Sequence, residues 1–574
     1  MNLFSEYHIK IIKFLKKIEK KEKILLPSKT DQITFEPPPK NLTGDISTNL
    51  LFVISGINKT SPIIMGEKIS SLLKQEFKEF EKIEIKKPGF INFYFTNDFW
   101  RNYINTLIKM NKKYGVNKNS KNKINVEFVS ANPTGPLHVG HCRGAILGDV
   151  ISNLLEFNGN KVTREYYIND FGKQIENFVQ SVHLRMDEIL FNKKFEIKEN
   201  FYPGEYIIDI AKLILSKKNI KNAKDLKKNK NIIKTIALNH VMSLIKKDLH
   251  SLGVKHNKFI SENDLVKNKE INKAIKKLEK KNLIYKGKLN APKSNEGSWT
   301  PKNLCLFKST QFGDDVDRAL TKDDGEWTYF AGDIAYHSNK IDRKYDSMIN
   351  ILGSDHTGYV KRLESAFSAL SNNNAKFKCK ISQMVKLYKS GQPFKMSKRK
   401  GDYITVKDLV NEVGKDAARF IMLNRSNDME LDFDFEKVKE KTKENPVYYV
   451  QYAHARINSV FANAQVNLDG IFKLKNNSQN FNEHEIQLIK KISEWPNCVK
   501  LSADNLEPHK ITFFLYDLAT IFHAYWNLGK QDHAYKFIDD SNKIKENAHA
   551  ILKCLAIVIK NGMKILGVST PNKM

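Results

Sequence analysis

Cysteine is scarce in this sequence, long apolar runs are missing, and acidic residues are fewer than basic ones. The 574 residues include five cysteines, none spaced as a CxxC pair, which argues against a disulfide framework and a structural zinc site. No stretch approaches a membrane span, and the lysine-rich N-terminus lacks the features of a signal peptide. We therefore expect a soluble protein of a reducing cytoplasm, without a membrane partner and without a protein-held metal.

The shortage of acidic residues gives the chain a strongly positive charge. Asp and Glu number 64 against 95 for Lys and Arg, so the formal net charge is +31. A field of this sign attracts polyanions, and nucleic acid is the obvious partner. Lysine nevertheless lies among many asparagines and isoleucines, as in residues 217–234, and the composition of an AT-rich genome produces the same bias. Charge alone leaves both explanations open.

Length and patterning predict three domains. A chain of 574 residues with 41% hydrophobic residues is too long for one ordinary core. Residues 1–115 combine an amphipathic helix with a probable strand at 89–95, residues 116–443 alternate strands with helices, and residues 444–574 are helical throughout. These patterns predict a small N-terminal α/β domain, a Rossmann-type α/β domain with a parallel sheet, and a C-terminal α-helical bundle.

A histidine turn stands out in the stretch "NPTGPLHVGH", residues 132–141. The spacing predicts a strand at 124–129, this loop, a helix from about His138, and a second strand at 161–168. The loop therefore lies at the carboxyl end of a parallel sheet, where such sheets bind ligands. Gly140 allows close backbone approach, and the helix N-terminus beside His138 and His141 suits phosphate. Taken alone, two histidines at a helix start are more often capping or packing residues.

A lysine loop lies further along the chain in "GQPFKMSKRKGDYI", residues 391–404. Lys395 and Lys398 flank Met396 and Ser397, and flexible ammonium groups on a mobile loop can stabilise the charge that develops on a leaving pyrophosphate. In such a lysine-rich chain the pair alone means little. The histidine turn combined with this "KMSK" loop resembles the class I aminoacyl-tRNA synthetases.

Further segments narrow the resemblance to the arginyl-tRNA synthetase family over almost the whole chain. They include "VEFVSANPTGPLHVGHCRGAILGD", "REYYINDFGKQI", "YPGEYIIDIA", "FGDDVDRAL", "TYFAGDIAYHSNK", "ILGSDHTGYVKRL", "NPVYYVQYAHARI" and "GMKILGVSTPNKM". The resemblance implies ATP-dependent attachment of L-arginine to tRNA(Arg) through arginyl-adenylate, with Mg²⁺ accompanying ATP. It also leads us to expect a cytoplasmic monomer.

The arginine site can be argued from chemistry as well as from the family. Glu127 sits inside an apolar strand and Asp333 follows Tyr329 by one helical turn, and carboxylates near a core are costly unless a cation meets them. A guanidinium pairs well with carboxylates. The alternative is a salt bridge from Glu127 or Asp333 to a framework lysine or arginine.

The resemblance assigns the individual roles. It implies that Tyr329 and Asp333 grip the guanidinium with Glu127 assisting. For the rest of arginine, the implied residues are Ser130, Ala131, Asn132, His141 and His356, the last of which falls where some family members have a glutamine on the substrate amine. For ATP, they are His138, Gly140, His141, Gly353, Asp355, Lys395, Met396, Ser397 and Lys398. Of these, the implied catalytic residues are His138, His141, Lys395 and Lys398.

The outer domains offer candidate RNA contacts. Tyr449, Tyr452 and Arg456 share a helix face and could stack on unpaired bases of an anticodon loop, although an aromatic stripe at helical spacing is more often core. The family's C-terminal bundle binds the anticodon side of tRNA, and "DAAR" (416–419) resembles the motif before it. The family's N-terminal domain contacts the outer corner of the tRNA.

Three other functions compete with this interpretation. Another class I synthetase is disfavoured, because the segment between the histidine turn and the lysine loop is too short for an editing insertion and carries no metal ligands. A non-catalytic RNA-binding relative is disfavoured because both loops are intact. A small nucleotidylyltransferase would not need the helical C-terminal domain.

Overall fold

The chain forms two compact units, one of which is made from both ends of the sequence. In a computed structural model, Asn119–Glu440 form one unit, and Met1–Lys118 together with Lys441–Met574 form the other. The structure describes residues 1–39, 42–117, 120–193, 195, 200–218, 220, 222–289, 302–372, 375–394 and 404–574. Within these residues, no helix combines the length and the apolarity that a membrane crossing needs.

The unit of residues 119–440 contains eleven described strands and eleven described helices. Its strands are β5 (Lys123–Glu127), β6 (Lys161–Ile168), β7 (Lys258–Ser261), β8 (Ile284–Gly287), β9 (Leu304–Phe307), β10 (Arg318–Ala319), β11 (Ser347–Gly353), β12 (Lys376–Ser382), β13 (Val385–Lys389), β14 (Gln392–Pro393) and β15 (Leu431–Asp434). Its helices are α5 (Val139–Phe157), α6 (Lys173–Phe191), α7 (Glu205–Lys218), α8 (Ala223–Lys228), α9 (Lys230–Ser251), α10 (Glu262–Lys267), α11 (Glu270–Glu279), α12 (Tyr329–Asp342), α13 (Val360–Ser371), α14 (Val406–Val413) and α15 (Lys415–Met422).

A five-stranded parallel sheet organises this unit. Its strand order is β12-β11-β5-β6-β7, and every neighbouring pair runs parallel. The helices connecting these strands bury them, so β5 is apolar or buried over most of its length. Gly148 lets α5 pack closely on this layer, because a Cβ there would lie 2.2 Å from the ring of Phe128. The predicted Rossmann-type α/β class is confirmed.

The second unit joins an antiparallel sheet to a helical bundle. The N-terminal part contains β1 (Phe35–Glu36), β2 (Ile46–Thr48), β3 (Phe80–Lys86), β4 (Phe90–Phe95), α1 (Leu3–Glu22), α2 (Leu50–Asn58), α3 (Pro62–Glu76) and α4 (Asn97–Met110). The C-terminal part contains α16 (Pro446–Asn463), α17 (Glu483–Ser493), α18 (Trp495–Asn505), α19 (His509–Gln531) and α20 (Glu546–Leu566). The predicted helical C-terminal region is therefore confirmed.

Polar contacts tie these two parts into one unit. Lys490 of α17 pairs with Asp45 at 2.6 Å, and the Tyr114 hydroxyl donates to the carbonyl of Ile492 at 3.0 Å. In the other direction, the indole of Trp495 donates to the carbonyl of Tyr114 at 3.2 Å. Segments from opposite ends of the chain thus complete each other's hydrogen bonding.

Candidate functional site

Several predicted site residues, and two further carboxylates, lie where strands of the parallel sheet end. Glu127 closes β5, Asp170 follows β6, Glu262 follows β7, and Gly353 closes β11. The first turn of α12, which carries Asp333, belongs to the same group, because the Asp333 carboxyl interacts electrostatically with both Glu127 and Glu262. Carboxyl ends of parallel strands form one edge of the sheet, so side chains distant in sequence meet there.

The backbone turns sharply directly after β5. The strand ends at Glu127 rather than at residue 129 as the sequence pattern predicts. Val129 and Ser130 have φ angles of 72° and 40°, and the Ser130 amide donates back to the carbonyl of Phe128 at 3.1 Å. This three-residue turn costs a non-glycine residue about 1–3 kcal/mol. It takes the chain off the sheet and into the loop of the histidine turn.

Neighbouring residues of β6 hold this turn in place. The Ser130 hydroxyl accepts the Tyr167 amide at 3.1 Å, the Asn169 side chain donates to the Ser130 carbonyl at 3.0 Å, and the Tyr166 hydroxyl donates to the Ala131 carbonyl at 2.8 Å. Three hydrogen bonds of this kind offset the strain of the turn. The segment assigned to the amino and carboxylate end of arginine is therefore rigidly supported.

Glu127 already has partners within the protein. One carboxylate oxygen accepts from the ammonium of Lys340, which is fully buried, and the other accepts from the Ser130 hydroxyl at 3.1 Å. Lys340 also donates to the Asn350 side chain at 3.0 Å. For Glu127, the structure thus contains the framework ion pair that stood as the alternative to a direct arginine contact.

Asp333 differs from Glu127. Its carboxylate accepts from the Tyr359 hydroxyl at 2.5 Å, and among the described residues no lysine, arginine or histidine forms an ion pair with it. Burial is the main reason that the pKa of Asp333 is raised to about 7. The hydrogen bond from Tyr359 lowers this pKa, the negative charge of Glu127 raises it, and the positive charge of Lys340 lowers it. A half-buried carboxyl that lacks a cation is suited to a cationic ligand.

Glu262 is a residue that the sequence reasoning missed. Burial, followed by the charges of Asp333 and Asp170, raises the pKa of Glu262 to about 7. Asp170 accepts hydrogen bonds from the Ser261 hydroxyl at 2.7 Å and the Asn263 amide at 2.9 Å, which fixes the start of α10. The sequence contained a usable signal, since Glu262 follows the short strand "KFIS", but only strand order brings it to Asp333.

Tyr329, Asp355 and His356 lie more openly. Tyr329 is the first residue of α12 and is 74% exposed, with its hydroxyl 4.0 Å from the position that a Cβ on Gly172 would occupy. The His356 and Asp355 side chains are 56% and 80% exposed, and the imidazole lies 3.5 Å from the carboxylate. Together with Gly353, these residues are accessible to a ligand without being enclosed.

The histidine turn caps helix α5. The His138 ring accepts the Gly140 amide at 3.2 Å, and the His141 ring accepts the His138 amide at 3.2 Å. The two rings lie 4.0 Å apart. A Cβ on Gly140 would come within 2.9 Å of the His138 ring, so glycine is needed for this arrangement. The rings serve as caps in this structure, and their position at a helix N-terminus also suits phosphate.

Backbone pairing links the histidine turn to the end of the lysine loop. The Val139 amide donates to the Ile404 carbonyl at 3.0 Å, and the Val406 amide donates to the Leu137 carbonyl at 3.1 Å. Lys395, Met396, Ser397 and Lys398 lie outside the described residues, which resume at Ile404. The lysine loop is thus anchored at its C-terminal end directly beside His138.

Arg419, the last residue of "DAAR", has a framework role. Its guanidinium is buried, donates to Asp149 of α5 at 2.6 Å and donates to the Leu252 carbonyl at 2.8 Å. It therefore ties α15 to the helix that begins at the histidine turn.

The predicted stripe on α16 forms an aromatic cluster with α19. The Arg456 guanidinium lies 4.2 Å from the ring centre of Tyr452 and 5.1 Å from that of Trp526, and it hydrogen-bonds to His523 at 2.9 Å. Tyr449 packs on the same histidine at 4.4 Å. Tyr449, Tyr452 and Arg456 are half-buried, so the cluster packs internally and still presents ring surface.

The arrangement combines two chemistries on one sheet edge. Half-buried carboxyls suit a cation, and a histidine-capped helix N-terminus suits phosphate. No group of three or more His, Cys, Asp or Glu side chains that could hold a metal ion occurs in the part of the chain that the structure describes. The site is therefore suited to joining a cationic molecule to a phosphorylated one.

Comparisons with known proteins identify the family. Three family models match the chain: the arginyl tRNA synthetase N terminal domain over residues 6–95, the class I (R) tRNA synthetase catalytic domain over 103–463, and the DALR anticodon binding domain over 450–574. The Arginine--tRNA ligase of Pelagibacter ubique is 52% identical, and that of Wolbachia sp. subsp. Brugia malayi is 43% identical, each over 100% of both chains.

A solved structure supports the fold. The arginyl-tRNA synthetase of Thermus thermophilus superimposes with a TM-score of 0.71 over 100% of both chains at 18% sequence identity. Identity and coverage in the curated relatives exceed what a shared fold alone would give. The chain belongs to the arginyl-tRNA synthetase family.

Proposed function

We propose that this protein is an arginine--tRNA ligase, which activates L-arginine with ATP and transfers it to tRNA(Arg). The observation that carries the proposal is the Asp333 carboxyl, which is half-buried beside Glu262 and meets no cation among the described residues. Full-length similarity to proteins named Arginine--tRNA ligase supports the same conclusion.

In the proposed pocket, Asp333 and Glu262 face the guanidinium. A guanidinium is always charged and offers five donors in a plane, so it can bond to both carboxylates at once. Tyr329, one helical turn before Asp333, would close the pocket with its hydroxyl. Glu127 assists indirectly, because its charge is shared with Lys340 and its second oxygen orients Ser130.

The other end of arginine would lie along the turn after β5. Ser130, Ala131 and Asn132 present polar backbone and side-chain groups there, and His356 can reach the α-amino group from the end of β11. Because hydrogen bonds from β6 hold this turn, the carboxylate of arginine would be presented in one orientation. Such alignment is a main source of rate acceleration when two substrates must meet.

The reaction then follows in two steps. The arginine carboxylate attacks the α-phosphate of ATP and pyrophosphate leaves, giving arginyl-adenylate. The terminal ribose hydroxyl of the tRNA next attacks the arginyl carbonyl and AMP leaves. No side-chain nucleophile is needed, and the protein contributes alignment and stabilisation of phosphoryl charge through His138, His141, Lys395 and Lys398.

ATP would contact the remaining predicted residues. Gly140 lets phosphate approach the helix N-terminus, Gly353 and Asp355 lie at the end of β11, and Met396 and Ser397 belong to the lysine loop. We assign Mg²⁺ to the ATP phosphates, because this ion is usually bound through substrate phosphates with only one or two protein carboxylates.

Domain roles complete the proposal. Residues 1–115 and 444–574 would contact the tRNA, the latter through its anticodon side, and residues 116–443 would carry the chemistry. The aromatic cluster around Tyr452 is the proposed RNA-stacking surface. We further propose that the protein acts as a monomer in the cytoplasm.

One assay tests the activity, and one substitution tests the pocket. ATP–pyrophosphate exchange measured with each of the twenty amino acids, with and without total tRNA, should respond to arginine alone and require tRNA.

Asp333→Ala should weaken arginine binding by about 2–4 kcal/mol, because one partner of a desolvated charge pair is lost. Asp342→Ala, on an exposed carboxylate of the same helix, is the matched control. Native arginine affinity in folded Asp333→Ala would refute the pocket.

A further inference from the structure

Three helices between β6 and β7 each send one side chain to the loop before the histidine turn. Gln174 of α6 hydrogen-bonds to the side chain of Asn132. The Tyr206 hydroxyl of α7 donates to the Thr134 carbonyl at 2.7 Å, and the Asp248 carboxylate of α9 accepts the Leu137 amide at 2.9 Å. These contacts recur every two or three residues, so the loop rests on the helical insertion over its whole length.

Tyr206 has the closest fit of the three. A Cβ on Gly135 would lie 3.0 Å from the Tyr206 hydroxyl oxygen and 3.1 Å from Cζ, and a Cβ on Gly204 would lie 2.5 Å from the ring. A glycine on the loop and a glycine before α7 therefore leave the space that this ring fills. The hydroxyl reaches the Thr134 carbonyl only because both positions lack a side chain.

The loop can transmit this contact to the histidines. Pro133 and Pro136 lie on either side of the Thr134–Gly135 step, and proline restricts φ at its own position. The Asp248 carboxylate also holds the Leu137 amide, so the segment from Thr134 to His138 is tied to the helical insertion at two points. Holding the Thr134 carbonyl therefore restrains the start of α5, where His138 and His141 cap the helix.

We propose that Tyr206 is a positioning residue for adenylate formation. Its hydroxyl donates a hydrogen bond to the Thr134 carbonyl and thereby restrains the loop that carries His138 and His141. The inference rests on the proposed function, and adds to it a contact from the insertion between β6 and β7. Tyr206 itself is not placed on a substrate.

Tyr206→Phe removes only the hydroxyl and is the direct test. Pyrophosphate exchange should slow roughly tenfold, the effect of losing one ordinary hydrogen bond in the aligned state. The KM for ATP should rise by a larger factor than the arginine dissociation constant, because residues Tyr167 and Asn169, and not Tyr206, hold the arginine turn at Ser130. The matched control is Tyr202→Phe, since the Tyr202 hydroxyl makes no hydrogen bond within the described residues. A purely structural role would instead lower kcat in proportion to the folded fraction and leave both substrate constants unchanged.

Hydrogen exchange gives a readout that does not depend on activity. In folded Tyr206→Phe, amides of residues 134–141 should exchange faster than in the parent protein, and in Tyr202→Phe they should not. Unchanged exchange in this segment together with an unchanged KM for ATP would overturn the inference.

A double-mutant cycle with Gly135→Ala adds a second test. The new methyl group would press against the Tyr206 hydroxyl, so both substitutions disturb the same contact. Their combined effect on the rate of pyrophosphate exchange should therefore be smaller than the product of the single effects. Fully multiplicative effects would contradict the proposal.

The outcomes separate the two proposals. If the parent protein exchanges pyrophosphate with a different amino acid, the proposed function fails, and the Tyr206 comparison can still be made with that amino acid. If the parent protein responds to arginine and Tyr206→Phe behaves as Tyr202→Phe, only the positioning role is rejected.

Discussion

The two units use polar groups differently. At the sheet edge of residues 119–440, Asp333 and Glu262 are half-buried, and neither pairs with a cation among the described residues. In the unit made from the chain ends, Asp45 pairs with Lys490, and Arg456 is engaged by Tyr452, Trp526 and His523. In the first unit, two carboxyls of the proposed pocket thus stay without an ion pair among the described residues, whereas the charged groups named in the second unit contact each other or aromatic rings.

The largest change in structure and activity is expected when the second unit is truncated. A chain ending at Lys443 loses α16–α20 and uncovers Trp100, Tyr103 and Tyr114, which are at most 6% exposed and lie where α4 packs on α20. We expect residues 1–118 to lose their structure and tRNA-stimulated pyrophosphate exchange to disappear. Hydrogen exchange of α4 is the measurement.

Loss of pyrophosphate exchange in the truncated chain would not by itself show that the helical bundle couples tRNA binding to adenylate formation, because residues 1–118 would also have unfolded. If α4 stays as protected as in the full chain, the two ends of the sequence are independent domains and the composite unit is not one folding unit.

The next largest effect concerns the buried ion pair of the first unit. Lys340→Met leaves the Glu127 carboxylate buried without its cation, and should destabilise the unit by roughly 3–5 kcal/mol in urea unfolding. Lys277→Met is the matched control, because Lys277 forms an exposed pair with Asp342 of the same helix and should cost at most about 1 kcal/mol. Equal effects of the two substitutions would show that Glu127 does not depend on Lys340.

A smaller effect is expected for the aromatic cluster. Tyr452→Ala should weaken tRNA binding by about 1–3 kcal/mol if this ring stacks on a base, whereas Tyr452→Phe should bind tRNA normally because it keeps the ring. Filter binding at two salt concentrations is the measurement. If Tyr452→Ala binds tRNA normally but is less stable, Tyr452 packs in the core and does not stack on a base.

The last effect is the pH dependence of arginine binding. The pKa values of Asp333 and Glu262 are raised to about 7, and in the proposed pocket the guanidinium would bind their charged forms. The arginine dissociation constant should therefore fall from pH 6 to pH 8, by at most about tenfold per pH unit for each proton released. Calorimetry in buffers of different ionisation enthalpy counts these protons, and Asp333→Asn should release fewer. A flat profile would exclude proton-linked binding.

The same carboxyls affect stability with a definite sign. Their pKa values in the folded protein lie above the ordinary values of 3.8 and 4.5, so protonation favours the folded state. Their contribution is present below about pH 4 and is lost as the pH rises through about 7. Bound arginine should offset this loss, which makes arginine-induced stabilisation larger at pH 8 than at pH 6.

Sequence patterns were sufficient for local features. The strand–loop–helix–strand unit around the histidine turn and the spacing of Tyr329 and Asp333 on one helix depend on residues close together in the chain. Periodicity and capping act over a few residues, so these features are encoded where they occur. For the same reason, the α/β class with a parallel sheet and the helical C-terminal region were predictable.

Only the tertiary structure decided which distant residues meet. Glu262 lies near Asp333 because β7 ends on the sheet edge where α12 begins. Glu127 meets Lys340 because Asn350, which also accepts from Lys340, lies opposite Glu127 in the register of β5 and β11. The turn at Val129 and the union of the chain ends likewise depend on contacts supplied by remote segments. A single sequence determines local conformation and the chemistry of each side chain, whereas strand order and register arise from packing the whole chain, which no local pattern contains.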